Sequence, residues 1–355
     1  MNRGGAETLI MNWYRHIDRS KVQFDFLTCK EGSFDKEIEA LGGTIHRIPY
    51  VSEAGHFAYL RALDHFFKAH HYSAIHVHMD KMSGFVLRAA KRAQVPIRIA
   101  HSHSTGSEGN LMVKSYKWTA GQLIVPNASH LFACSKKASD WLYGSASKRA
   151  IVLKNGIDSG RFRRSTDIRN RVRAELSLPS IGLCIGHVGR FSEPKNHRLL
   201  IDIFEKVMRI NPDARLILVG DGPLRPEIEE KVQDLGLQTF VRFLGTRYDV
   251  QEVMQAFDVM VFPSKQEGVP VALIEAQSLG IPCVISDAIS DEVDIGAGLV
   301  TYESILRSPL IWAEQLLFNR DVKDHMLRYI KDRGYDIEQS TAWLERFYLT
   351  AHDIA

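Results

Sequence analysis

Residues 262–282, FPSKQEGVPVALIEAQSLGIP, gather the groups best able to do chemistry. Glu267 and Glu275 stand eight positions apart with seven residues between them, and Gly268, Val269, Pro270 and Val271 follow the first of them. The apolar run closing at Phe262 predicts a buried strand. Pro270, with its fixed φ and missing amide, suits the first turn of a helix that Gly280 and Pro282 end. A helix N-terminus at the carboxyl end of a parallel strand points free amides into a crevice, an arrangement that binds phosphate. Glu267 falls just ahead of that terminus and Glu275 about two turns inside it, so both carboxylates can face one ligand, one holding a ribose diol and the other a sugar. Outside a strand-loop-helix frame the same pair reads as two solvated glutamates.

Residues 186–200, GHVGRFSEPKNHRLL, form a second constellation. Arg190 follows directly on a β-run and Lys195 sits just ahead of the next helix. Arginine offers a planar fork and lysine a point charge, and both suit a diphosphate whose leaving oxygen must be neutralised. Alone they could be a surface charge cluster; with the acidic pair downstream they read as the other wall of one pocket.

Short β-rich runs alternating with helical patterns must position these groups. VQFDFLTC, GTIHRIPY, AIHVHM, VPIRIAHSH, HLFACS and AIVLKNG come first. After a polar, Arg-rich bridge at residues 158–179, GLCIGHVGR, ARLILVG, VRFLG, FDVMVFP and IPCVIS follow. Such alternation predicts parallel sheets wrapped by helices, and 355 residues exceed one ordinary core. The fold class is therefore α/β with two doubly wound domains facing across a cleft, where ligands sit. We place the first domain at residues 1–158, with the C-terminal helix at 336–355 packing back on it through Trp343, Leu344, Phe347 and Tyr348. The second domain takes residues 159–335.

Apolar residues at 45% and charged ones at 25% describe an ordinary soluble protein. Residues 1–158 hold 21 Lys/Arg against 13 Asp/Glu, whereas the remainder holds 24 against 29. The basic half suits anionic lipid or an acidic acceptor, or is simply a solvated face. Cys29, Cys134, Cys184 and Cys283 lie far apart without metal spacing, as small buried hydrophobes in a reducing compartment. No run of about 18 apolar residues and no signal-peptide pattern occurs, which predicts a cytoplasmic protein with peripheral contact at the inner membrane face left open.

The chain resembles the retaining GT-B glycosyltransferases of glycosyltransferase family 4, particularly those of capsule and exopolysaccharide synthesis. The resemblance rests, in order, on MNRGGAET, NGID at 155–158, GRFSEPKN, LVGDGPLRPEIE and the run from FLGTRYDV to LGIP. It implies that Arg190 and Lys195 bind the donor diphosphate, that Glu275 holds the ribose and that Glu267 lies beside the transferred sugar. The backbone of Gly268, Val269, Pro270 and Val271 would contact sugar and phosphate, and Gly245 to Tyr248 would border the base. Gly4 and Gly5 match the loop facing the donor phosphate. In IAHSHS, His101 is the first choice for the histidine near the sugar and His103 the reserve; alternation puts both on one side.

The activity implied is metal-independent, retaining transfer of a hexose or N-acetylhexosamine from a nucleotide sugar, commonly UDP-linked, to a lipid-linked or other saccharide acceptor. No cofactor, metal or nucleic acid is called for, and the Asp-x-Asp pattern that holds a divalent ion in the other large glycosyltransferase fold is absent. Members of the family begin with an apolar strand leading into the glycine loop. Here Met1 already belongs to the loop, so the expectation is a start codon placed one strand late or a truncated form, with the central strand missing between VQFDFLTC and AIHVHM. Rival readings are a nucleotide-sugar epimerase or phosphorylase on the same scaffold, and a non-catalytic donor-binding or scaffold subunit. A dinucleotide-dependent dehydrogenase is the weakest, because LVGDGPL lacks the third glycine of that fingerprint.

Overall fold

The structure, a computed structural model, describes residues 4–107, 109–179, 182–318 and 323–351. Two compact units divide the chain: Met1–Ile157 with Gly334–Ala355, and Asp158–Arg333. Every strand pairing in both is parallel. Strands β1 (Phe26–Thr28), β2 (Ile45–Arg47), β3 (Ala74–Val77), β4 (Ile97–Ser102), β5 (His130–Ala133) and β6 (Ile151–Val152) belong to the first unit. The second holds β7 (Cys184–Val188), β8 (Arg215–Val219), β9 (Val241–Phe243), β10 (Val259–Phe262), β11 (Cys283–Ser286) and β12 (Val300–Glu303).

In the second unit these strands make one sheet in the order β12-β11-β10-β7-β8-β9. The apolar runs read as buried strands because both faces are covered by helices: every residue of β10 and β11 is buried. Gly186 is dictated by packing, since a Cβ there would stand 2.0 Å from the Phe257 ring. Strand β12 is missing from the sequence reading; it is an edge strand, only partly buried, without the apolar run that marks its neighbours. The Arg-rich bridge also proves to be structure. Its helix Thr166–Glu175 is clasped to the sheet by Arg169 and Arg173, which share the carboxylate of Asp258. Buried Arg173 also donates to the carbonyls of Ala256 (3.0 Å), Pro179 (2.6 Å) and Gly182 (2.8 Å).

The first unit is built differently. Strands β3-β4-β5-β6 form one sheet, and β1-β2 form a separate pair. Among the described residues β1 pairs only with β2 and β3 only with β4. A cavity of about 750 Å³ lies between their open edges, lined by Phe26 and Leu27 on one side, Ile75 and Val77 on the other, and Ile10 and Trp13 above. The interruption falls where the sequence argument puts a central strand. Helix Ile337–Thr350 packs against helix Gly5–His16, with Trp13 Nε1 donating to Ser340 Oγ at 3.4 Å and Leu344 buried beside Leu9.

Candidate functional site

Sheet order reverses between β7 and β10, so the loops leaving their carboxyl ends diverge and open a crevice. Those loops carry the two constellations picked from the sequence, and hydrogen bonds hold them together. Lys265 N donates to Pro194 O at 2.8 Å, and Asn196 Nδ2 to Pro263 O at 3.0 Å. Between them Lys195 Nζ meets Glu267 at 2.7 Å, both side chains largely buried, with the ammonium 4.7 Å over the Phe262 ring. Arg190 stands exposed on the rim, two residues past β7.

The helix after Glu267 runs Val271–Ser278, with Pro270 as its extended cap residue at ψ 120° rather than its first helical residue. No side chain caps it, so its leading amides point out of the sheet end without a side-chain acceptor. Pro270 has no N–H to give and shapes this turn instead of contacting an anion through an amide. Gly268, Val269 and Pro270 are buried and Val271 half-buried. Gly280 ends the helix at φ +73°, where a Cβ would lie 1.7 Å from the Lys323 carbonyl oxygen.

Glu275 is half-buried in the second turn, and desolvation pushes its carboxyl up to about 7, with Arg161 pulling the other way. A carboxylate held near neutrality without a salt-bridge partner close by is poised to accept hydrogen bonds from a ligand's hydroxyls. Gly245, at φ +65°, accepts from Gly220 N at 2.8 Å, which fixes the loop leading to exposed Tyr248. His187 escaped the sequence reading although its motif was quoted. A carbonyl only accepts, so its Nδ1 donates to Val261 O at 2.9 Å, strapping β7 to β10 where the crevice opens.

In the first unit Gly4 and Gly5 open helix Gly5–His16. Gly5 has open space where a Cβ would point, and Gly4 would meet only the flexible end of Glu7. The two strand-end histidine pairs form a column: alternation puts His76 and His78 on one face, with His101 and His103 beside them. His76 Nε2 and His101 Nδ1 are 2.9 Å apart, His78 Nδ1 and His103 Nε2 2.8 Å. Burial, with neighbouring imidazoles adding, drives His76 down to about 3 and His78 and His101 well below their usual value; burial alone takes His103 to about 4. All four are neutral at pH 7.

The two histidines of IAHSHS differ in exposure, although each keeps one buried ring nitrogen without a partner, Nε2 in His101 and Nδ1 in His103. His101 has no exposed surface, lies beneath the Trp13 ring at 5.8 Å and leaves Nε2 unpartnered inside the core. His103, past the end of β4, retains exposed surface. The HxH spacing of AIHVHM was the overlooked signal for the rest of the column. His76, His78 and His101 bring nitrogens within 4.8 Å of one another, the closest approach to a metal cluster among the described residues. Their rings stack at 11–32°, so the in-plane lone pairs do not converge on one point as zinc ligation requires.

Residues 182–306 match the family model for glycosyl transferases group 1, and residues 4–156 the glycosyl transferase 4-like domain. The chain is similar to the glycosyltransferase EpsF of Bacillus subtilis, 38% identical over 98% of this chain and 94% of that one. It is 29% identical to an Escherichia coli UDP-Gal:alpha-D-GlcNAc-diphosphoundecaprenol alpha-1,3-galactosyltransferase, over 62% of this chain and 59% of the other. Among solved structures it resembles Anabaena HepE in complex with UDP-glucose, with a TM-score of 0.77, 20% identity, and coverage of 99% of this chain and 97% of that one. That likeness shows the fold.

Proposed function

The chain belongs to the group 1 glycosyltransferases, and from that premise we propose that it moves a hexose or N-acetylhexosamine from a UDP-linked donor to a lipid-linked saccharide in capsule or exopolysaccharide synthesis. The observation that carries this reading is the Lys195–Glu267 pair at the switch point, beside an uncapped helix N-terminus. Lys195, Arg190 and the amides of Gly268, Val269 and Val271 meet the charge growing on the departing diphosphate. Glu275 accepts from the ribose hydroxyls, Glu267 from the sugar, and Gly245 to Tyr248 border the base.

The sugar C1–O bond to diphosphate breaks and its electron pair leaves with phosphate. The acceptor oxygen bonds to C1 on the same face and its proton passes to the departing oxygen. This retaining displacement proceeds without a metal, because fixed positive charge and amide dipoles do the neutralising. Gly4 and Gly5 keep their expected role toward phosphate, and His103 replaces His101 as the histidine near the sugar. The E. coli relative's acceptor supports a lipid-linked substrate. No described helix is long and apolar enough to cross a membrane; we set the encounter with such a substrate at the cytoplasmic face.

Thermal shift against a panel of nucleotide sugars tests the donor: UDP and one UDP-sugar raise the melting temperature, as any ligand of the native state must. Lys195→Ala should lose both that shift and transfer. Glu267→Ala should keep the shift and lower transfer roughly 10²–10³-fold. Absence of any shift with UDP, or turnover of the donor with no acceptor present, would overturn the transferase reading.

A further inference from the structure

Residues 78–80, HMD, follow β3 directly, and two of their side chains reach sideways to the end of β4. Asp80 stands at φ +45°, in the left-handed region, where an L side chain is strained and persists only if its surroundings over-determine the backbone. An aspartate at the head of a helix ordinarily caps it. Here neither the turn Asp80–Met82 nor helix Ser83–Arg92 has a side-chain cap. Asp80 Oδ2 accepts instead from Ser104 Oγ at 2.9 Å, and the His103 backbone N–H supports the same carboxylate. Oδ1 is buried without a partner. Burial raises the carboxyl above its ordinary value, against the pull of Ser104, the His103 amide and Lys117. Backbone strain, a desolvated carboxyl and an unsatisfied oxygen thus fall on one residue, at the carboxyl ends of two parallel strands, where α/β sheets bind their ligands.

We propose that Asp80 is a positioning residue of the transfer reaction: through Ser104 and the His103 amide it fixes the turn after β4, and with it the ring of His103. The inference rests on the reading that sets His103 near the sugar. Val77 lies opposite Ala100 in the β3–β4 register, and carried on past the strand ends that register sets Asp80 level with His103. The backbone ladder has stopped there, so side chains take over the pairing. His78 Nδ1 holds His103 Nε2 at 2.8 Å, which anchors the ring at one nitrogen but leaves its backbone free to swing. Asp80 supplies the missing restraint from the same segment. Such a restraint matters for function because a misplacement of about 1 Å can cost about a hundredfold in rate.

The test compares Asp80→Gly with Asp80→Asn in the full chain. Glycine is at ease at positive φ and offers no acceptor, whereas asparagine tolerates that φ and keeps an acceptor oxygen for Ser104. Asp80→Gly should therefore melt within a few degrees of the wild type. By calorimetric titration it should keep its affinity for UDP within about twofold, yet bind the UDP-sugar that raises the melting temperature about fivefold or more weakly, the worth of one hydrogen bond. Asp80→Asn should restore the sugar's share of the affinity. In NMR of the histidine rings the His103 resonances should move in Asp80→Gly and return in Asp80→Asn. The proposal is overturned if Asp80→Gly binds UDP and the UDP-sugar as the wild type does, if it loses affinity for both alike, or if the His103 resonances stay in place. Failure of UDP to bind the wild-type chain would count against the functional reading, and the His103 resonances would still decide whether Asp80 holds that ring.

Discussion

The two units solve one architectural problem with unequal completeness. In the second, six parallel strands run unbroken and the reversal between β7 and β10 delivers Lys195 and Glu267 into contact. In the first, the parallel order is interrupted between β1 and β3 by a cavity, and the residues beside the gap are a column of neutral histidines. A site at a switch point is only as defined as the strands on either side of it. The comparison therefore assigns the precisely held charges to the second unit and makes the first the softer partner.

The largest effect should come from breaking the second unit. Arg173→Ala strands the carbonyls of Ala256, Pro179 and Gly182 and leaves Asp258 with one fewer partner, at a cost of about 3–5 kcal/mol. Melting with and without UDP checks it: the transition that UDP raises in the wild-type chain should fall by many degrees. A variant melting like wild type would show that the clasp is dispensable and the two units less different than their sheets suggest.

That clasp was read from the sequence as a polar bridge, and the miss is instructive. Arg169 and Arg173 bind Asp258, 89 and 85 residues away, and no local pattern announces a partner at that distance. The second unit's core strands and the frame around Glu267 were legible because buried parallel strands are continuous apolar runs and because Gly and Pro punctuate helix ends. Edge strand β12 was not, being half-polar. For the histidines, period-two spacing gave the shared face, but depth does not follow from spacing: His101 and His103 differ in burial because one lies within β4 and the other beyond its end.

The gap itself makes a second, smaller prediction. Phe26 N bonds Thr44 O and Ile48 N bonds Thr28 O across the pair, so by alternation the Leu27 amide points toward the cavity. It should exchange with solvent deuterium at least about a hundredfold faster than the amides of β7, which are flanked on both edges. Equal protection in β1 and β7, measured by NMR, would show the first unit's sheet to be as closed as the second's.

The finest discrimination lies in Glu275, where the well-built unit accepts a cost for function. Its folded carboxyl titrates near 7 against an ordinary 4.5, so the native state binds the extra proton. Stability therefore falls as pH rises from about 4.5 through about 7, and the full penalty is present above that window. Glu275→Gln removes the penalty, and should raise stability at pH 8 by about 1–2 kcal/mol after allowing for partial solvent exposure, with no gain below pH 4.5. The same substitution should weaken UDP binding, because the amide offers one acceptor oxygen to a diol where the carboxylate offers two. In the wild-type chain UDP affinity should accordingly rise as pH passes upward through about 7, and that rise should vanish in Glu275→Gln. Calorimetric titration at pH 5.5 and pH 8 separates these outcomes; a wild-type affinity flat across the window would remove Glu275 from the ligand.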